Sequence, residues 1–144
     1  MSPLYAELHR WAALPFVWGE TDCMMCLADW VWRVRGVDPA AALRMTYDSP
    51  AACQRVTGWW TDPVGAVERC LATVDGLPRV DRPARGDVGV FRMPDPARGG
   101  RLSPAGGLWL GECWTFRHPE RGTTTLRARV AGAPLAIWGV GYAA

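Results

Sequence analysis

The stretch Pro15-Phe16-Val17-Trp18-Gly19-Glu20-Thr21-Asp22-Cys23 carries a helix stop at one end and a helix start at the other. Pro15 has no N–H to give, so a helix that precedes it ends there. Asp22 is a preferred N-cap residue, able to accept from the orphan amides of the next turn. From Cys23 onward the apolar residues fall at Cys23, Cys26, Leu27, Trp30, Val31 and Val34, and Gly36 follows in the C′ position. This spacing predicts a helix over Cys23 to Arg35 with one buried face and with Cys23 on its first turn. A cysteine there meets unpaired backbone N–H groups and the positive end of the helix dipole, and both favour thiolate over thiol. A nucleophile needs that arrangement together with a base within hydrogen-bond reach. A cysteine packing as a small hydrophobe fits the same stripe, and that is the commoner use of the residue.

Outward from this stretch the helical pattern continues in both directions. Ser2-Pro3 opens a helix to about Ala13, with Leu4, Leu8 and Trp11 on one face. Two further short helices are predicted from Ser49 to Val56 and from Asp62 to about Val74, each begun by a capping residue and a proline. From Arg79 the pattern changes. Arg82-Pro83-Ala84-Arg85-Gly86-Asp87 is a turn that leads into a strand, Val88-Gly89-Val90-Phe91, and the proline- and glycine-rich Met93 to Pro104 is predicted as a loop. Short apolar runs at Gly107–Leu110, Cys113–Phe116, Thr123–Val130 and Leu135–Val140 follow, separated by Gly or Pro turns. Helices first and an antiparallel sheet after define an α+β domain. A single domain over 1–144 is expected, helical to about residue 78 and extended from about 79.

Composition narrows the function classes. The chain has 144 residues, 49% of them apolar, which suits one packed core. Sixteen basic residues face fourteen acidic ones, so no cationic excess exists to drive phosphate neutralisation, and a nucleic-acid partner is not expected. Every basic residue is Arg, which removes lysine-dependent chemistry. No apolar run approaches the roughly 20 residues of a membrane span. Met1 to Glu7 lacks the basic start and apolar run of a signal peptide, so synthesis in the cytoplasm is expected. Five cysteines (Cys23, Cys26, Cys53, Cys70, Cys113) are an odd number and read as reduced thiols rather than a disulfide framework.

Trp18-Gly19-x-x-Asp22-Cys23, followed by a helix and then by Pro83-Ala84-Arg85-Gly86-Asp87-Val88, resembles the NlpC-type peptidases of the papain-like superfamily. In that family an aromatic-Gly…Asp-Cys motif begins the nucleophile helix, and a Pro-x-x-Gly-Asp turn opens the first strand. The resemblance extends over residues 11 to about 140. It is closest to small phage and prophage proteins of tail gene clusters, in which the Trp-Gly-x-x-Asp-Cys pattern and a segment like Gly36-Val37-Asp38-Pro39 recur. It implies a papain-like fold, Cys23 as nucleophile, and Trp18, Gly19, Asp22, Gly86 and Asp87 as supporting motif residues. It also implies a setting: synthesis in a bacterial host, then a virion tail, among hub, distal tail or fibre proteins. Related tail-tip domains are taken to cut peptidoglycan stem peptides. The family's base stands in a His-hydrophobic-Gly-hydrophobic strand, matched here by Ala105-Gly106-Gly107-Leu108-Trp109-Leu110-Gly111, so Ala105 occupies the histidine position.

Three functional readings therefore follow. Without an imidazole Cys23 lacks both a proton acceptor and a general acid for the leaving amine. The leading expectation is a tail-tip component with a structural or assembly role and degenerate catalysis. The second is an active cysteine peptidase with His118, in Phe116-Arg117-His118-Pro119, as a substitute base. The third is a metal-binding domain built on Cys23-x-x-Cys26, for which no second pair supplies the remaining ligands; neither a cofactor nor a metal is expected. The nine tryptophans exceed what a small core usually takes. Trp59, Trp60, Arg92, Arg98 and Arg101 are the candidate interface residues, with one ring of the Trp59-Trp60 pair expected to pack inward.

Overall fold

The computed structural model describes residues 1–119 and 122–143. Helices α1 (Pro3–Ala13), α2 (Cys23–Arg35), α3 (Pro50–Thr57) and α4 (Pro63–Ala72) come first. Each begins at the capping residue its sequence proposes: Ser2, Asp22, Ser49 and Asp62 accept from the backbone N–H of Tyr5, Met25, Ala52 and Gly65. Gly36 and Gly58 close α2 and α3 in the left-handed conformation, where a missing Cβ removes the steric penalty.

Strands β1 (Val88–Pro94), β2 (Leu102–Trp109), β3 (Cys113–His118), β4 (Gly122–Arg127) and β5 (Ala136–Trp138) form one sheet in the order β4-β3-β2-β1-β5. Every pairing in it is antiparallel. A short helix, α5 (Ala128–Ala131), connects β4 to β5. The domain is α+β, with the N-terminal helices against a C-terminal antiparallel sheet, as the residue pattern predicts. No helix among the described residues is long and apolar enough to cross a membrane.

Alternation divides the sheet. Val88, Val90, Leu108 and Trp138 face α2, whose Met25, Cys26 and Trp30 are fully buried against the same core. Phe91, Trp114, Phe116 and Ile137 make a second cluster on the other face, closed by Ala131 of α5 and by Val80. Gly89 and Gly107 make room for it: a Cβ on either would come within 2.9 Å of the Trp114 or Phe116 ring.

Two loop and strand boundaries differ from expectation. β1 runs on through Pro94 and β2 begins at Leu102, so Met93 to Pro104 is a hairpin with a 3₁₀ turn at Pro96–Arg98 rather than a loop. Proline is admitted because these strand ends have lost a neighbour. β5 pairs only with Val88–Val90, and β3 pairs only with Gly107–Trp109, so Pro94 and Pro104 owe no ladder hydrogen bond on that side. The run Thr123–Val130 is likewise not one strand. Its ladder with β3 ends where Cys113 meets Arg127, and the chain beyond turns into α5.

Candidate functional site

Asp22 holds the turn before α2 together. Its buried carboxylate accepts from Met25 N–H at 2.9 Å through Oδ1. Oδ2 accepts from Gly19 N–H at 2.8 Å and from the Tyr47 hydroxyl at 2.9 Å. Gly19 has φ +83°, and a Cβ there would lie 2.2 Å from the Tyr47 carbonyl oxygen. Met45 N–H returns to the Gly19 carbonyl at 3.0 Å. The Trp18-Gly19-x-x-Asp22 motif is thus a stitch between the α2 turn and the segment around Met45–Tyr47. Trp18 lies between Phe16 and Trp60, with ring centroids 5.0 and 5.8 Å away.

Cys23 is half-buried at the seam between α2 and β2, where Gly106 is its neighbour on the strand. Burial, followed by the neighbouring Asp22 carboxylate, pushes the thiol far above its ordinary 9.0; the Gly106 N–H offsets only part of this. This direction is opposite to the one that a place on the first turn of a helix gives by itself. Burial also pushes Cys26 up to about 12. Its thiol donates to the Thr21 carbonyl at 3.3 Å.

Among the described residues neither histidine is placed at Cys23: His9 is exposed on α1, and His118 lies on β3. On β2 Gly106 faces α2, as Leu108 does, and a Cβ there would meet Leu27 Cδ1 at 2.5 Å. Ala105, which pairs with Phe91, packs with the second cluster on the opposite face. Neither Ala105 nor Gly106 carries a base. Alternation along β3 puts His118 on the face of Trp114 and Phe116, away from α2. His118 and Cys23 are thus not brought together. Their neighbour Arg117 is the β3 residue that reaches the helices. It is buried and donates to the carbonyls of Trp11, Thr21, Leu14 and Gly122, and it lies 5.8 Å from the Phe16 ring. Sequence reasoning missed it; an arginine between the inward positions of a strand was the available signal.

Gly86 and Asp87 are also structural. Gly86 has φ +93° beneath Tyr142, whose Cβ would lie 2.7 Å from an added Cβ, and its carbonyl accepts from Trp30 Nε1 at 2.8 Å. Asp87, buried, accepts from Ala84 N–H at 2.8 Å and Val140 N–H at 3.0 Å, tying the start of β1 to the C-terminal segment.

The remaining cysteines do not assemble into a metal site. Among the described residues no group of three or more His, Cys, Asp or Glu side chains stands in a metal-holding arrangement. Cys53 is buried beside Thr57 Oγ1 at 3.6 Å, and Cys70 packs against the main core.

The interface candidates separate. Trp59 is 2% exposed and belongs to the core, which removes it from any docking surface. Trp60 is half-buried, and exposed Arg92 donates to the Trp60 and Thr61 carbonyls at 3.2 Å. Arg98 donates to Ser103 Oγ at 2.8 Å, and Arg101 to the Arg98 carbonyl at 3.3 Å. The tryptophan most open to solvent, Trp32 at 48%, lies off the α2 stripe, between Val31 and Arg33. That position was the signal that could have found it.

Fold and site together define an α+β domain with a half-buried cysteine at its helix–sheet seam and a set of buried carboxylate and arginine stitches around it. A family model described as a domain of unknown function (DUF6950) matches residues 2–140, and the chain belongs to that family. No curated protein and no solved structure matches it.

Proposed function

We propose that this protein is a structural component of a phage or phage-like tail tip, built on an NlpC-type papain-like fold whose catalysis is degenerate. The observation that carries the loss of catalysis is the meeting of α2 with β2. The strand position that meets the start of α2 at Leu27 and Cys23 is Gly106, which has a backbone amide and no side chain. A peptidase needs a group that takes the thiol proton and returns it to the leaving amine, and a backbone amide does neither. The motif residues that would mark a working site have structural employment here: Asp22 and Gly19 fix the turn into α2, and Gly86 and Asp87 anchor β1. Their presence therefore does not argue for turnover. The tail setting is supported by the order and spacing of the Trp-Gly-x-x-Asp-Cys and Gly-Asp motifs. Synthesis in the bacterial host followed by incorporation into the virion tail, among hub, distal tail or fibre proteins, belongs to the same proposal.

The test is mass spectrometry of purified particles, together with a peptidoglycan digestion assay of the isolated protein. The chain should be found in particles, and the protein should release no stem-peptide fragments. A stably monomeric chain absent from particles would refute the assembly role. Digestion abolished by Cys23→Ala would establish the peptidase reading instead.

A further inference from the structure

Among the described residues two buried side-chain polar atoms have no hydrogen-bond partner, Arg85 Nε and the Tyr142 hydroxyl, and both side chains flank Gly86. Arg85 precedes that glycine, and its guanidinium lies 5.2 Å from the Tyr5 ring. Tyr142 covers the glycine: an added Cβ would meet Tyr142 Cβ, Cδ2 and Cγ at 2.7 to 3.0 Å. The Tyr142 ring stands edge-on to fully buried Trp30, with centroids 5.0 Å apart. The segment that carries this ring is fastened only as far as Val140. Gly139 N–H donates to the Pro78 carbonyl at 2.8 Å, and Val140 N–H donates to Asp87 Oδ1 at 3.0 Å. From Gly141 to Ala143 the chain makes no hydrogen bond to the described residues. Gly141 is exposed and has φ +80°, a conformation that glycine enters and leaves without steric cost.

We propose that Tyr142 is a latch, which closes over Gly86 and Trp30 and swings out about Gly141 while the rest of the domain stays folded. Two opposed forces act on it. Burial of the ring and its edge-on contact with Trp30 hold it shut. The hydroxyl works the other way: a buried tyrosine usually finds a partner for this group, and here the closed position gives it none. Arg85 Nε, on the same glycine, does not serve, since it is orphaned as well. Swinging out gives the hydroxyl to water and breaks no hydrogen bond, because none holds the segment beyond Val140. Opening of this kind needs far less free energy than unfolding, as local openings at weakly held segments do. The bond from Val140 to Asp87 sets the inner limit of the moving piece. Closed, the latch seals the turn into β1; open, it bares the Trp30 indole N–H and its acceptor, the Gly86 carbonyl, 2.8 Å apart. The proposal uses neither the state of Cys23 nor the tail setting.

The test is hydrogen exchange of the Trp30 indole N–H, followed by NMR on the ¹⁵N-labelled full chain in water and in low urea. The latch predicts exchange faster than that of the β1 amides and nearly insensitive to urea, because a local opening exposes little surface. Tyr142→Phe removes the orphaned hydroxyl and should slow the exchange by about fivefold or more. Gly141→Ala penalises the left-handed hinge of the closed form and should speed it by about fivefold or more. The β1 amides, read in the same spectra, separate a loosened latch from a loosened fold. Trp30 exchange that follows the β1 amides in rate and in urea dependence would overturn the proposal. So would a Tyr142→Phe protein that exchanges as fast as the parent or faster, or a Gly141→Ala protein in which Trp30 exchanges no faster.

Discussion

Replacing Asp22 with Ala separates a structural motif from a catalytic one. The substitution removes the N-cap of α2, a loss of about 1 kcal/mol. It also leaves the Gly19 N–H and the Tyr47 hydroxyl, both directed at Oδ2, without their acceptor. Each orphaned buried donor costs about 1–3 kcal/mol. The Tyr47 hydroxyl keeps the Cys53 sulfur as a second neighbour, which places its share at the low end. The total is about 3–5 kcal/mol, a large part of the ~5–15 kcal/mol typical of a domain. Urea denaturation followed by circular dichroism should show a lower midpoint at an unchanged slope, and the melting temperature should fall on the order of 10 °C. Cys23→Ser, made alongside, should change the midpoint far less, because the Cys23 side chain is only half-buried. An Asp22→Ala protein as stable as the parent would refute the stitch.

Two further outcomes follow from the geometry. Gly86→Ala forces a left-handed Ala against the Tyr142 ring and should cost about 2–4 kcal/mol. Combined with Tyr142→Gly it should cost at least 1 kcal/mol less than the sum of the two single changes in a double-mutant cycle. Burial holds Cys26 at about 12 and Cys70 at about 11 against an ordinary 9.0, so the folded chain keeps protons that the unfolded chain releases. The contribution of these two thiols to stability is therefore fully present below pH 9 and is lost as pH rises through 11 to 12. The urea midpoint should fall over that window, and Cys26→Ala with Cys70→Ala should flatten the fall.

The helices were legible because their determinants are local. A capping side chain, a proline at the first turn and an apolar stripe act within a few residues, and Ser2, Asp22, Ser49 and Asp62 all cap as read. Strand ends were less legible, since Pro94 and Pro104 are tolerated only where a neighbouring strand has stopped. The cysteine site divides in the same way. Its place on the first turn of α2 is local and was read correctly. The protonation of its thiol is set by burial against β2, and the face that Ala105 presents is set by sheet register, which motif spacing does not contain. Trp32 lies off the apolar stripe of α2, so periodicity does not single it out, whereas the Trp59-Trp60 pair stands out in the sequence although Trp59 belongs to the core.

Burial raises the Cys23 thiol, and neither histidine among the described residues is placed beside it. Iodoacetamide alkylation of the native protein across pH 6 to 10, resolved by peptide mass spectrometry, reads it directly. The account predicts slow modification of Cys23 at neutral pH, with a rate that climbs only beyond its ordinary 9.0. Selective alkylation of Cys23 at pH 7, with an inflection below neutrality, would contradict it.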